Sequence, residues 1–156
     1  MNPKLRIAAI TDEFSLDLDV ALDAMKAIGM TGAELRVVWG KNVLDLLDEE
    51  VARAKDLLNT RGFQAISIAS PLLKCTLPGA PDVDTRFQQD VFAAKNSFAD
   101  QPRLTERAFS IAKRMGAPMV RVFSYWRTVQ PERCFDAPIA EPRFQCLKRW
   151  RPHREY

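Results

Sequence analysis

One short stretch of the chain, "GAELRVVWGKN" (residues 32–42), places charged side chains inside an apolar run. Glu34 and Arg36 alternate with Ala33 and Leu35, so in a β-strand the two charged groups share one face. Charged groups on a buried face must be paired or used to bind something. Three interpretations stay open: a structural Glu–Arg bridge, a polar cavity for a hydroxyl-rich ligand, or a register shifted by one residue.

Other polar side chains lie in or just after similar apolar runs. In "MVRVFSYW", Val120 and Val122 suit a helix-facing side, which turns Arg121 to the same side as Glu34 and Arg36. Cations, acids, amides, hydroxyls and indoles at strand ends are the groups from which a sugar pocket is built. The candidate substrate-binding residues are therefore Glu34, Arg36, Trp39, Ser70, Lys74, Arg121 and Ser124.

Strands that alternate with amphipathic helices would position these groups. The pattern predicts strands at about 5–11, 32–39, 63–70 and 117–126, and helices at about 15–28, 48–60 and 101–115. Ser15, Asp48 and Asp100 are the expected helix caps, and Gly29, Gly62 and Gly116 the expected stops. The predicted fold class is α/β with a parallel sheet, either a doubly wound open sheet or a (β/α) barrel. The first strand is followed by no glycine-rich phosphate loop, which disfavours a nucleotide-binding fold.

The connection formed by residues 71–99 is unusually long for a link between a strand and its helix. A long excursion at the carboxyl end of a strand is typical of a lid or binding loop, although a simple insertion is the alternative. Phe87 and Val91 predict a short helix within it.

The amino-acid composition narrows the class of protein further. The chain has 156 residues and 47% hydrophobic residues, enough for one ordinary domain. It has no apolar run near the roughly 20 residues of a membrane helix and no recognisable signal peptide, so we expect a soluble, cytoplasmic protein. The three cysteines are widely spaced, which disfavours a disulfide framework. His153 is the one histidine, which disfavours a zinc site and a Ser-His-Asp triad.

The net charge is concentrated at the carboxyl end. Residues 137–156 hold five basic and two acidic side chains, so the whole net charge of +3 falls there. Pro138 and Pro142 interrupt any helix in this segment. We therefore divide the chain into a body, 1–136, and an irregular basic tail, 137–156. A shifted reading frame or early stop is the favoured origin of the tail, and an evolved basic tail is the alternative.

Five segments together carry a resemblance to a known family. In order they are "AAITDEFS", "GAELRVVWGKN", "SIASPLLKC", "FADQPRLTERAFSIAKRMGA" and "VRVFSYWRT". Over roughly residues 4–135 the chain resembles the N-terminal half of a sugar phosphate isomerase/epimerase of the xylose isomerase-like TIM-barrel type. The resemblance implies a (β/α)₈ barrel, here truncated to about four βα units, and a small sugar or sugar-phosphate-like substrate.

The resemblance also implies a divalent metal that assists proton transfer next to a carbonyl group. In that family the metal ligands and the acid–base pair come mainly from the later strands, and no position of this chain matches them. No catalytic or metal-binding residue is therefore assigned. We expect the 156-residue chain to be inactive alone as an isomerase.

Two other functions are carried as alternatives. A half barrel leaves open sheet edges at its first and last strands, which predicts a homodimer or another self-associating assembly. The superfamily also includes metal-dependent endonucleases, and the tail combines Lys148, Arg149, Arg151 and Arg154 with Trp150 and Tyr156. The body has no net charge, which makes nucleic acid the less favoured partner.

Overall fold

A computed structural model describes residues 7–80, 82–83 and 96–126. The strands are β1 (Ala8–Ile10), β2 (Gly32–Leu35), β3 (Val37–Val38), β4 (Lys41–Asn42), β5 (Gln64–Leu72) and β6 (Met119–Val122). The helices are α1 (Leu18–Ala27), α2 (Asp48–Arg61) and α3 (Gln101–Met115), with 3₁₀ turns η1 (Thr11–Glu13) and η2 (Val43–Asp45). The predicted helix at Phe87 and Val91 and the basic tail 137–156 lie outside the described residues, as does the body–tail boundary.

The main sheet has four parallel strands in the order β1-β2-β5-β6. Its strands therefore follow the order of the chain without reversal. The helices form one layer, because α1 contacts α2 and α2 contacts α3. The α/β class and the parallel sheet are confirmed.

All of these strands and helices belong to one compact unit, Met1–Cys75 with Asp90–Tyr125. The other unit comprises Thr76–Gln89 and Trp126–Tyr156. Of its described residues, Leu77 and Ala80 form a turn in which the Ala80 amide donates to the Leu77 carbonyl at 3.0 Å.

The helix-facing side of the sheet carries the hydrophobic core. Ala33 pairs with Ala65, and Leu35 pairs with Ile68, and all four are buried in the core. Val120 packs against the same core from β6. Val122 was expected on this side too, but it is 49% exposed at the end of β6.

Local sequence signals predict the positions of the helices well but their first residues less well. Asp17, not Ser15, caps α1: its Oδ1 accepts from the amides of Asp19 and Val20 at 2.9 and 3.2 Å. Asp48 begins α2 one residue after the cap position. Asp100 lies at the N-cap position of α3 as predicted, but its side chain makes no capping hydrogen bond, and Pro102 lies in the first turn. Gly62 and Gly116 end α2 and α3 in the left-handed conformation.

A hairpin interrupts the region predicted as one strand over 32–39. β3 pairs antiparallel with β4 through a turn at Trp39 and Gly40, whose φ angles are 51° and 76°. Positive φ at both central residues matches the twist of a two-residue hairpin, but it strains a tryptophan. The prediction missed the turn because only Gly40 is a typical turn residue.

Among the described residues, none of the helices has the length and apolar character needed to cross a membrane.

Candidate functional site

Asp12 and Arg36 form the base of the candidate site. η1 turns the chain directly after β1 and brings Asp12 to the end of β2. Asp12 Oδ2 accepts from Arg36 Nε at 2.9 Å, and the Arg36 Nη2–Asp12 Oδ2 distance is 2.7 Å. Arg36 Nη2 also donates to Glu13 Oε1 at 2.7 Å. The hydrogen bond that Arg36 donates to Asp12 is the largest influence on the pKa of Arg36, and it raises that pKa.

These contacts correct the simple alternation expected around Glu34. β2 ends at Leu35, and Arg36 lies in a bend before β3. Val37 and Val38 are both buried, so the two-residue period is lost there. The ion pairs of Arg36 in the described chain run to the end of β1 instead of to Glu34.

A small pocket opens at the carboxyl edge of the sheet. Its volume is about 100 Å³. It is lined by Arg36, Asn42, Ala69, Pro71, Lys74, Arg121 and Phe123. Among the described residues its lining therefore includes three cations and no carboxylate. Three of the predicted site residues, Arg36, Lys74 and Arg121, come together here from different parts of the chain.

Lys74 follows β5 and is nearly enclosed, with 9% of its surface exposed. Its Nζ lies 4.9 Å from the centre of the Phe123 ring, within the range of a cation–π contact. Burial lowers the pKa of Lys74, and the nearby charges of Arg121 and Arg36 lower it further. The pocket thus holds this ammonium group in surroundings that disfavour its charge.

Arg121 reaches the pocket from β6. Its Nη2 donates to the Ala69 carbonyl at 2.9 Å, and its guanidinium carbon lies 4.9 Å from the centre of the Phe123 ring. Its Nε is buried and has no hydrogen-bond partner within the described residues. Burial lowers the pKa of Arg121, and the charge of Arg36 adds to that effect.

Glu34 and Ser70 lie close to the pocket without lining it. The charge of Glu34 opposes the lowering of the Arg121 pKa, so the carboxylate is near enough to act on the guanidinium. Ser70 is fully buried, and its Oγ donates to the Arg121 carbonyl at 2.6 Å. Ser70 therefore joins β5 to β6 and fixes the backbone that carries Arg121.

Trp39 and Ser124 are not among the pocket-lining residues. Trp39 packs against the hydrophobic core, and the guanidinium carbon of Arg53 lies 4.5 Å from the centre of its ring. Ser124 is exposed beyond the end of β6.

Asn42 and Phe123 line the pocket but are not among the seven candidate substrate-binding residues. Asn42 Oδ1 accepts from the Leu44 amide at 3.0 Å and so starts η2. Its position at a strand end was the signal that could have identified it. Phe123 is an apolar residue after β6 and gave no such signal, since only the folded chain brings it between Lys74 and Arg121.

The described residues do not form a metal site. They contain no group of three or more His, Cys, Asp or Glu side chains that could hold a metal ion. The carboxylate of Asp12 already accepts hydrogen bonds from Arg36 and from the Val37 amide. This donor set does not fit the divalent metal that the resemblance implies, and we derive no step through one.

No protein-family model, curated protein or solved structure matches the chain in the comparisons with known proteins.

Proposed function

We propose that this chain is the N-terminal half of a (β/α) barrel of the sugar phosphate isomerase/epimerase type. In this proposal the carboxyl edge of its sheet binds a small sugar, ketose or related derivative. One observation carries the proposal: polar side chains from all four parallel strands meet at that edge. They are Asp12 after β1, Arg36 after β2, Lys74 after β5 and Arg121 in β6.

The carboxyl edge is the expected place for a ligand in either parallel architecture. Barrel enzymes build their sites from the loops that follow the strands, and open parallel sheets bind ligands beyond the same strand ends. The proposal of a binding site therefore holds whether or not the sheet is part of a closed barrel.

The strand order supports the barrel type over the doubly wound type. A doubly wound sheet reverses its strand order at one point so that right-handed crossovers cover both faces. Here the order β1-β2-β5-β6 has no reversal, and the three helices lie in one layer. The opposite face, which carries Glu34 and Ser67 in register, would become part of the barrel interior.

The described groups can bind and orient a ligand but do not complete an isomerase. Arg36, Lys74 and Arg121 can donate hydrogen bonds to ligand oxygens, and positive charge beside a carbonyl would favour the charge of an enediolate. Isomerisation also needs acids placed to move a proton, and Asp12 is held by Arg36 and Val37. The isomerase or epimerase activity rests on the resemblance alone.

Calorimetric titration of the full 156-residue chain would test the binding function. The ligands would be short-chain ketoses and aldoses, free and phosphorylated, with a nucleoside as an unrelated control. We expect saturable binding of at least one sugar, weakened in Arg121→Gln. Binding should be unchanged in Arg103→Gln, which removes a charge from an exposed position of α3. No saturable binding, or equal binding by both variants, would overturn the proposal.

Self-association through sheet edges and nucleic-acid binding through the tail stay predictions. So do a cytoplasmic location and the absence of isomerase activity in the chain alone. Sedimentation of the purified chain would test self-association. A ketose isomerisation assay with added Mg²⁺ or Mn²⁺ would test the absence of isomerase activity.

A further inference from the structure

We propose that Lys74 forms a Schiff base with the aldehyde or ketone group of a ligand at the carboxyl edge of the sheet. The lysine then acts as a nucleophile, and the pocket binds its ligand covalently and reversibly. This inference rests on the proposed function for the class of ligand, because open-chain ketoses and aldoses carry such a carbonyl group.

The backbone before Lys74 is held in a defined turn. Leu73 has a φ of 60°, a left-handed conformation that is strained in a residue other than glycine. Its amide donates to Oε1 of the buried Gln101 side chain at 2.8 Å, and its carbonyl accepts from the Tyr125 amide at 3.1 Å. The Lys74 amide donates to the Pro71 carbonyl at 3.0 Å. Contacts from α3 and from the segment after β6 therefore fix the position from which the Lys74 side chain starts.

The amine of Lys74 lies beside a cavity with apolar walls that include Pro71 and Phe123. A nearly enclosed lysine is uncommon in folded proteins, because its charge loses contact with water. Burial lowers the pKa of Lys74, and the charges of Arg121 and Arg36 lower it further. Such surroundings increase the share of neutral amine, which is the form that attacks a carbonyl carbon.

Arg121 supplies positive charge to the cavity in which the carbonyl group would react. It lines the same cavity as Lys74, and its Nη2 donates to the Ala69 carbonyl at 2.9 Å, which holds the guanidinium in place. When an amine attacks a carbonyl group, the carbonyl oxygen takes up negative charge. A fixed guanidinium close to that oxygen stabilises the charge and so favours the attack.

The size of the cavity suits a reacting group better than a whole ligand. Its volume is about 100 Å³, whereas pockets that enclose small molecules usually measure about 300–1,000 Å³. A water molecule takes up about 30 Å³ in the liquid, so a carbonyl group with its neighbouring carbon can enter. The remainder of the ligand would extend out of the carboxyl edge of the sheet.

The proposed step needs no reactant besides the amine and the carbonyl compound. The lone pair of the neutral amine forms a C–N bond to the carbonyl carbon, and the electron pair of the C=O double bond moves to oxygen. That oxygen takes a proton from the nitrogen through solvent, which gives a carbinolamine. Its hydroxyl group then takes one more proton and leaves as water while the C=N bond forms. Overall, one ammonium group and one carbonyl group yield one protonated imine and one water molecule.

Reduction with sodium cyanoborohydride would trap the proposed adduct. The full chain would be incubated near neutral pH with dihydroxyacetone, or with glycerol as the control compound without a carbonyl group. Because the reductant converts an imine to a stable secondary amine, the mass of the chain should rise by that of the ketose less one oxygen atom. Peptide mapping would locate the modified lysine. Lys26, exposed in the last turn of α1, is the reference amine in every sample.

We expect modification of Lys74 to be at least about tenfold faster than that of Lys26, because the pocket holds the carbonyl group beside the amine. Its rate should saturate with the concentration of dihydroxyacetone. Lys74→Arg keeps a cation in the pocket but removes the amine, so the fast adduct should disappear. Lys26→Met should leave the rate at Lys74 unchanged. Thermal unfolding would verify that each variant is folded, and if Lys74→Arg is not, the position of the adduct in the wild-type chain decides the question.

Other outcomes separate this inference from the proposed function. Saturable binding of a sugar in the calorimetric titration, without a fast adduct at Lys74, would overturn the inference and leave the proposed function standing. A fast adduct that persists in Lys74→Arg would place the reaction on another amine and would also overturn the inference. A saturable adduct at Lys74 supports both claims. If neither saturable binding nor an adduct is found, both proposals fail.

Discussion

Asp12 and Arg36 are joined through two nitrogens of one guanidinium, with Oδ2 2.9 Å from Nε and 2.7 Å from Nη2. The other carboxylate oxygen of Asp12 accepts from the Val37 amide at 3.1 Å. The side chain of Asp12 is 1% exposed, so the carboxylate is satisfied almost entirely by protein groups. One acid at the end of β1 thus fixes both the side chain and the backbone that follow β2.

Replacement of Asp12 should therefore lower the stability of the fold. Asp12→Ala would remove the carboxylate that accepts from Arg36 Nε and from the Val37 amide. We expect a loss of about 2–3 kcal/mol in the free energy of unfolding, measured with urea. The control is Glu13→Ala, whose side chain is 61% exposed and which should cost less than about 1 kcal/mol. Equal costs for the two variants would contradict this account of the contact.

Gly32 is predicted to be intolerant of any side chain. A Cβ at this position would lie 2.7 Å from Ala8 Cβ and 2.8 Å from Ile66 Cγ1. Ala8 Cβ is fixed to its own strand and cannot rotate away. Gly32→Ala should reduce the free energy of unfolding by about 1–3 kcal/mol.

A double-mutant cycle would identify the cause. Ala8→Gly removes the nearest atom, so Gly32→Ala should cost less in that background than in the wild type. The same cost in both backgrounds would show that the approach of β1 to β2 is not the origin of the effect.

Arg107 is expected to stabilise the loop before α2. From α3 it donates to the Leu44 carbonyl at 3.4 Å, to the Leu46 carbonyl, and through Nη1 to Asp48 Oδ1 at 2.7 Å. Arg107→Gln should lower the free energy of unfolding by about 1–2 kcal/mol. Arg103→Gln, at a position of the same helix where the side chain is 73% exposed, should change it by less than about 0.5 kcal/mol. Chemical denaturation of the two variants would distinguish these values, and a larger effect at Arg103 would contradict the assignment.

Lys74 should make stability depend on pH in the alkaline range. Its pKa in the folded chain lies below the ordinary value of 10.5. Between those two values the unfolded chain binds the proton more strongly, so deprotonation favours the folded state as the pH rises. The free energy of unfolding of the wild type, relative to that of Lys74→Met, should increase with pH over this window and then level off. A relative stability that falls with rising pH would contradict the sign of the shift.

The sequence allowed accurate prediction where the signal is local. Asp100, Pro102 and Gly116 mark the two ends of α3 through interactions within a few residues, and both ends were located correctly. Ala33 and Leu35 were assigned to the helix-facing side for a similar reason, because alternation within one strand decides it.

The prediction failed where distant segments meet or where a residue adopts an unusual conformation. The partner of Arg36 is set by η1, which follows a different strand, so spacing around Glu34 could not identify it. Trp39 adopts a positive φ that its residue type disfavours, so the sequence pattern predicts a continuous strand where the chain forms a hairpin. Phe123 joins Lys74 and Arg121 only through the packing of β6 beside β5.

Nuclear magnetic resonance of the full chain, labelled with ¹⁵N, would test the central claim most directly. A short-chain ketose and the matching aldose would be added while the backbone amide signals and the arginine Nε–H signals are followed. We expect saturable shifts at the Nε–H groups of Arg36 and Arg121 and at the amides of Lys74 and Phe123, with little change at Arg103. Shifts confined to other parts of the chain, or no saturable shift with either compound, would contradict a ligand site at the carboxyl edge of the sheet.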